Sequence, residues 1–160
     1  MTYGLRDLDG VRVELCHECG FDGREPRHLG TTLAEAYASL ERLRDHPDAG
    51  QRPDPETWSG AEYAEHCSHG HIVAFCARAA HRPDSAHLAS PAGAAAATAE
   101  FINELSDAQW AAVTDGWPVE LSVREAITHL LHDLEHHVRD TRRGYAKLAL
   151  ARNIDVVTSR

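Results

Sequence analysis

The stretch from Ser122 to Thr141, SVREAITHLLHDLEHHVRDT, constrains the fold more than any other part of the chain. Ser122 and Glu125 stand in capping-box spacing, which predicts a helix starting there. His129, His132 and His136 follow at intervals of three and four. At about 3.6 residues per turn they form one stripe, with His137 about 100° further round. Ala126, Ile127, Leu130, Leu131 and Leu134 border the stripe, so the imidazoles are set against a core-facing surface. A helix holds two nitrogens rigidly one turn apart, which suits a metal ion, but one helix cannot surround an ion. A partner ligand has to come from elsewhere. Without it the bland alternative stands, because a chain with 12 His can cluster them by chance.

A second group of ligand-type residues lies far upstream. Cys16-His17-Glu18-Cys19-Gly20-Phe21-Asp22 has C-x-x-C spacing with a glycine directly behind it. That is the shape of a zinc knuckle, two thiolates on a tight turn whose backbone N–H groups stabilise sulfur charge. A complete site needs two more donors, and no second C-x-x-C exists. His17, His28 or a residue distant in sequence can supply them. A redox pair and two plain thiols are the other readings, although no β-α-β pattern of the thioredoxin kind surrounds the motif.

The totals limit the function class. At 160 residues the chain is most simply one domain with a real core, and its 42% hydrophobic and 26% charged content is ordinary for a globular protein. The net charge of −9 opposes nucleic-acid binding. No stretch approaches about 18 apolar residues, and MTYGLRDLDG does not read as a signal peptide. The expectation is a cytoplasmic protein with no membrane partner. Its four Cys are then reduced, metal-bound or redox-active rather than disulfide-bonded.

The remaining chain reads as helices and loops. Residues 1–30 read as irregular, with one short strand where Val11 and Val13 alternate with Arg12 and Glu14. Thr31 or Thr32 caps a helix carrying Leu33, Ala36, Tyr37, Leu40 and Leu43, which ends at Asp45-His46-Pro47. Ser59 and Glu62 form a second capping box, and the helix behind it runs to about His81. Its buried side reads as Tyr63, His66, Cys67, Gly70, Val73, Ala74 and Ala77. Ser90-Pro91 opens an Ala-rich helix whose small residues permit close approach. Ser106-Asp107 caps one further turn. The late helix continues to about Arg152, with a basic far part. The expected organisation is an all-α, four-helix up-and-down bundle over residues 31–152, behind an irregular Cys-containing segment and before a frayed tail at 153–160.

Trp58-Ser59-x-x-Glu62-Tyr63-x-x-His66, followed far downstream by His132-Asp133-x-x-His136-His137, resembles the DinB-like family. The closer resemblance is to its actinobacterial branch, related to mycothiol-dependent maleylpyruvate isomerase. The C-x-E-C-G-F-D run adds to it. The resemblance implies one metal ligand from the second helix and two from the last, here His66, His132 and His136, with His129 a candidate additional ligand. It implies a divalent ion, zinc before nickel or iron, with open positions. It also implies a low-molecular-weight thiol, mycothiol-like, as co-substrate. The thiol is transferred to an electrophilic small molecule or serves in isomerisation. Cys16 and Cys19 are candidates for a second zinc site, and Tyr63 and His69 for substrate contact. A homodimer fits the same picture.

Two other readings compete with it. A metal-dependent hydrolase uses the same site with bound hydroxide. A non-enzymatic metal-binding stress-response bundle, with the knuckle as an interaction module, uses no substrate at all. A di-iron carboxylate protein is disfavoured, since the late helix offers Asp133-x-x-His136 and no Glu-x-x-His.

Overall fold

The computed structural model describes residues 5–23, 28–68, 91–114 and 120–158. Two strands open it, β1 (Leu5–Leu8) and β2 (Val11–Glu14), paired antiparallel from Leu5 opposite Glu14 to Leu8 opposite Val11. Asp9 and Gly10 join them with φ of 55° and 82°. Positive φ at both central residues is the two-residue turn that matches strand twist, and Asp-Gly is its preferred sequence. β2 is the short strand expected around Val11 and Val13, and its partner β1 turns residues 5–14 of the otherwise irregular segment into a hairpin, for which Asp9-Gly10 is the signal.

Among the described residues five helices follow: α1 (Leu29–Arg44), α2 (Gly60–Ser68), α3 (Pro91–Asn103), α4 (Asp107–Ala111) and α5 (Val123–Thr158). A short ladder, β3 (Val113–Thr114) with β4 (Leu121–Ser122), leads into α5. α1 begins before Thr31, and the Thr32 hydroxyl donates back to the His28 carbonyl at 3.0 Å instead of capping. Both capping boxes predicted at Ser59/Glu62 and Ser122/Glu125 form, and Ser106 with Gln109 makes a third. α5 runs through Asn153 to Thr158, beyond the predicted fraying point. Its far part is fastened by Arg152 on the buried Asp48 at 2.7 Å. The continuation of α2 towards His81, His69 included, lies outside the described residues.

The helices make a bundle around one apolar core. Leu33, Tyr37 and Leu40 of α1 meet Ala95, Thr98, Ala99 and Ile102 of α3 and Ala126, Ile127, Leu131, Leu134 and Val138 of α5. Each such leucine or isoleucine, wholly withdrawn from water, stabilises the fold by about 1.5–3 kcal/mol. α1 and α3 approach closely because a Cβ at Gly30 would run into the Ala99 carbonyl. The Tyr37 hydroxyl, deep in this core, donates to the Cys67 carbonyl at 3.1 Å and ties α2 down. Cys67 is thus the inward residue of α2, and His66 beside it is exposed. This corrects the placing of His66 on the buried side: both cannot face inward, and the smaller, apolar Cys67 takes the place against Tyr37.

The hairpin is laid along α5. Arg12 pairs with Glu125 at 2.5 Å, Glu14 meets His129 and His132, Cys16 reaches His136, and Glu18 pairs with Arg143 at 2.8 Å. Alternate residues of an extended chain point the same way, so Arg12, Glu14 and Cys16 share the side that faces the helix. No described helix is long and apolar enough to cross a membrane.

Candidate metal centre

Behind β2 the chain folds into the predicted knuckle. Gly20 N–H donates to the Cys16 carbonyl at 2.9 Å, and Cys16 N–H to the Phe21 carbonyl at 3.0 Å. Gly20 has φ of 79°, the left-handed conformation that glycine adopts without a Cβ penalty. Backbone N–H groups of Cys19 and Glu18 point at the Cys16 sulfur. Phe21 then stacks on the His132 ring, centroids 5.2 Å apart.

This turn delivers both thiols to the histidine stripe. One ligand atom from each of Cys16, Cys19, His132 and His136 falls within 4.8 Å of all the others. Cys16 Sγ lies 3.3 Å from His136 Nε2. Around an ion with bonds of about 2.3 Å to sulfur and about 2.0–2.1 Å to nitrogen, tetrahedral neighbours stand about 3.3–3.8 Å apart. The donor set fits zinc, and His132 Nε2 supports that fit independently, being buried without a hydrogen-bond partner.

The electrostatics prepare one sulfur for a cation. The Cys19 N–H, with further help from His136 and His132, brings the Cys16 thiol down to about 6 against the cost of burial. Burial and the neighbouring Cys16 raise Cys19 to about 11. Of the two sulfurs Cys16 is the one favoured as thiolate, and an ion would take both as thiolates.

On the other side of His132 lies Glu14, whose side chain is 0% exposed. His132 Nδ1 donates to Glu14 Oε1 at 2.5 Å, and His129 Nδ1 is 3.2 Å from both oxygens. Burial alone would raise the Glu14 carboxyl, but the two imidazole hydrogen bonds outweigh it and hold it below 4.5. For His132, burial favours the neutral ring, and the hydrogen bond to Glu14 together with the charge of the neighbouring Cys16 outweighs this and raises it above 6.5.

The ligand set implied by the resemblance is not brought together as a unit. His132 and His136 meet Cys16 and Cys19, whereas His66 stands with Trp58 and His137, each ring centroid 5.2 Å away. His129 serves Glu14 and belongs to a second group, Glu14, His129 and His132, separate from the thiols. His17 is exposed, and His28 opens α1 beside a hollow of about 390 Å³ that Cys19 also lines. Tyr63 is half-buried, 5.3 Å from Trp58 and 5.2 Å from His137 by ring centroids. It lines a hollow of about 440 Å³ with Asp140, Arg143 and Lys147. The Glu62 carboxylate accepts from Ser59 N–H at 2.8 Å and from Arg52.

Two contributors escape sequence reading. Glu14 gives no signal, because a charged residue on a short strand reads as solvent-facing. Asp133 gives one, its i,i+4 spacing to His137: Oδ2 is 3.4 Å from His137 Nε2, a nitrogen that is buried and not aligned as a hydrogen bond. Comparison with protein-family models, curated proteins and solved structures finds no match to this chain.

Proposed function

We propose that this chain is a zinc protein whose ion is held by Cys16, Cys19, His132 and His136. The observation that carries the reading is the convergence of two knuckle sulfurs and two helix imidazoles from positions more than 100 residues apart. Mixed thiolate and imidazole donors select zinc over magnesium or calcium. Four protein donors close the coordination shell, so this centre fastens the hairpin to α5 and leaves no position for substrate. Elemental analysis of the purified protein tests it. About one zinc per chain is expected, lost in Cys16→Ala and His136→Ala and kept in His66→Ala. A folded wild-type protein that neither retains nor takes up zinc sinks the reading.

A second reading, thiol transfer, is favoured by a separate group on the next face of α5. Asp133 and His137 sit one turn apart, His66 comes from α2, and Tyr63 leads from them to the hollow with Arg143 and Lys147. These residues keep the pattern of one side chain from the second helix and two from the last, with Asp133 and His137 in place of His132 and His136, but their ligand atoms do not all lie within 4.8 Å of one another, so an ion would have to draw them together. A divalent ion with three protein donors keeps a position where a low-molecular-weight thiol binds as its thiolate. On this reading the chain adds a mycothiol-like thiol to an electrophilic small molecule, or uses it in isomerisation. Arg143 and Lys147 line the hollow but are paired with Glu18 and Asp54, pairs that an anionic substrate or thiol would have to displace. Consumption of mycothiol with monochlorobimane is the assay, and His137→Ala and Asp133→Asn are expected to lower the rate about 100-fold or more. Ester or amide hydrolysis without thiol would instead establish a hydrolase. Zinc-loaded protein inert in both assays would establish a binding protein.

A further inference from the structure

Glu14 is the most deeply buried carboxylate near the centre, and the zinc reading gives it no part. Its two oxygens face two imidazoles, with His132 Nδ1 at 2.5 Å and His129 Nδ1 at 3.2 Å. Two explanations are open to such a cluster. Glu14, His129 and His132 could themselves hold a cation, since their ligand atoms also lie within 4.8 Å of one another. The short contact argues against this. Oxygen and nitrogen donors sharing a tetrahedral ion with bonds of about 2.0–2.1 Å stand about 3.3 Å apart, and 2.5 Å leaves no room for one between them. The contact is a direct hydrogen bond.

We infer that Glu14 is a positioning residue: it holds His132 with its proton on Nδ1, so that the Nε2 lone pair is presented to the ion beside Cys16, Cys19 and His136, and His129 braces Glu14 in that role. The inference rests on the zinc reading and adds the device that orients one ligand. The geometry matches the need at each point. A carboxylate accepts and never donates, so the nitrogen bonded to it carries the proton. The opposite nitrogen, Nε2, is the buried atom without a hydrogen-bond partner. Phe21 stacked on the ring stops it from turning about the Glu14 contact. Glu14 ends β2 and Cys16 follows two residues later, so the segment that delivers the thiolates also sets the imidazole that meets them. A carboxylate behind a metal-bound imidazole fixes its orientation and strengthens it as a donor, and its loss typically weakens metal binding 10–100-fold.

Two measurements decide the matter. In zinc-loaded wild-type protein, nitrogen-15 NMR of the histidine rings should show His132 with protonated Nδ1 and metal-bound Nε2. A His132 bound through Nδ1, or carrying its proton on Nε2, overturns the inference without any substitution. In the second, zinc affinity is measured by competition with a chromophoric chelator, and the cobalt(II)-substituted protein is read by absorption. Glu14→Gln should bind zinc about 10–100-fold more weakly. Its cobalt spectrum should keep thiolate-to-metal charge-transfer bands but show shifted d–d bands, and Glu14→Asp should recover part of the affinity. Wild-type affinity and an unchanged cobalt spectrum in Glu14→Gln overturn the inference and leave the zinc reading standing. Absence of thiolate-to-cobalt bands in the wild type removes both. Two cobalt equivalents in the wild type falling to one in His129→Ala would make Glu14 a ligand and overturn its positioning role.

Discussion

Two groups of metal-type side chains occupy the same two turns of α5, and they differ in what they face. His132 and His136 turn towards the hairpin and receive two sulfurs. Asp133 and His137 stand one residue further on in each case, and the His137 ring meets the exposed His66 of α2 and Tyr63, which lines a hollow beyond. The first group is backed by a carboxylate with no exposure at all; in the second, the Asp133 side chain is 55% exposed. A one-residue step along a helix turns a side chain by about 100°, enough to separate a buried cluster from a more exposed one. A doublet such as His136-His137 can therefore divide between a fastening role and a chemical one.

Several outcomes would break or sharpen that contrast. The largest is thermal. Removing zinc from the proposed centre with a strong chelator should lower Tm by on the order of 10 °C, as for a ligand whose free concentration is about 1,000-fold above its Kd. His137→Ala should show the same drop on chelation, and His136→Ala almost none. Equal chelation effects in all three proteins would erase the distinction. Next is thiol reactivity in the metal-free protein at neutral pH. Cys16, at about 6, should alkylate much faster than Cys19, at about 11, or the buried Cys67, at about 12. Zinc should protect the first two, which peptide mapping by mass spectrometry reads directly.

A smaller effect concerns acid. The Glu14 carboxyl is held below 4.5 in the folded chain, so it contributes stability at neutral pH that is lost as pH falls through its folded value. Metal-free Glu14→Gln should therefore lose less Tm than wild type between pH 6 and pH 3, in differential scanning calorimetry. The smallest is Ser122→Ala, which removes a cap of α5 and should cost about 1 kcal/mol by denaturant titration, without change in zinc content. A loss of zinc there would tie the helix start to the centre.

Helix positions were legible from sequence because capping boxes and apolar spacing are local. Ser59/Glu62 and Ser122/Glu125 each carry their signal within four residues. The histidine stripe and the knuckle were legible as separate motifs for the same reason. Their union was not. Arg12 and Glu14 alternate with apolar residues, the pattern of a strand with one side in water, yet that polar side lies against the polar stripe of α5. Periodicity reports that two sides differ, but not which surface covers them. His66 was misplaced by a related limit: adjacent helical positions compete for the core, and the winner depends on Tyr37, which belongs to another helix.

The lengthwise pairing of hairpin and α5 also has a bearing on biosynthesis. Cys16 and Cys19 leave the ribosome more than 100 residues before His132 and His136. Until α5 has been made, the thiols have no imidazoles to share an ion with. Closing a loop of that span costs about 4 kcal/mol in chain entropy, a sum the ion recovers only when both ends are present. On the proposed zinc reading, uptake of the ion is thereby coupled to the completion of α5. A nascent or truncated chain would carry a bare C-x-x-C pair, open to oxidation and recognisable as unfinished.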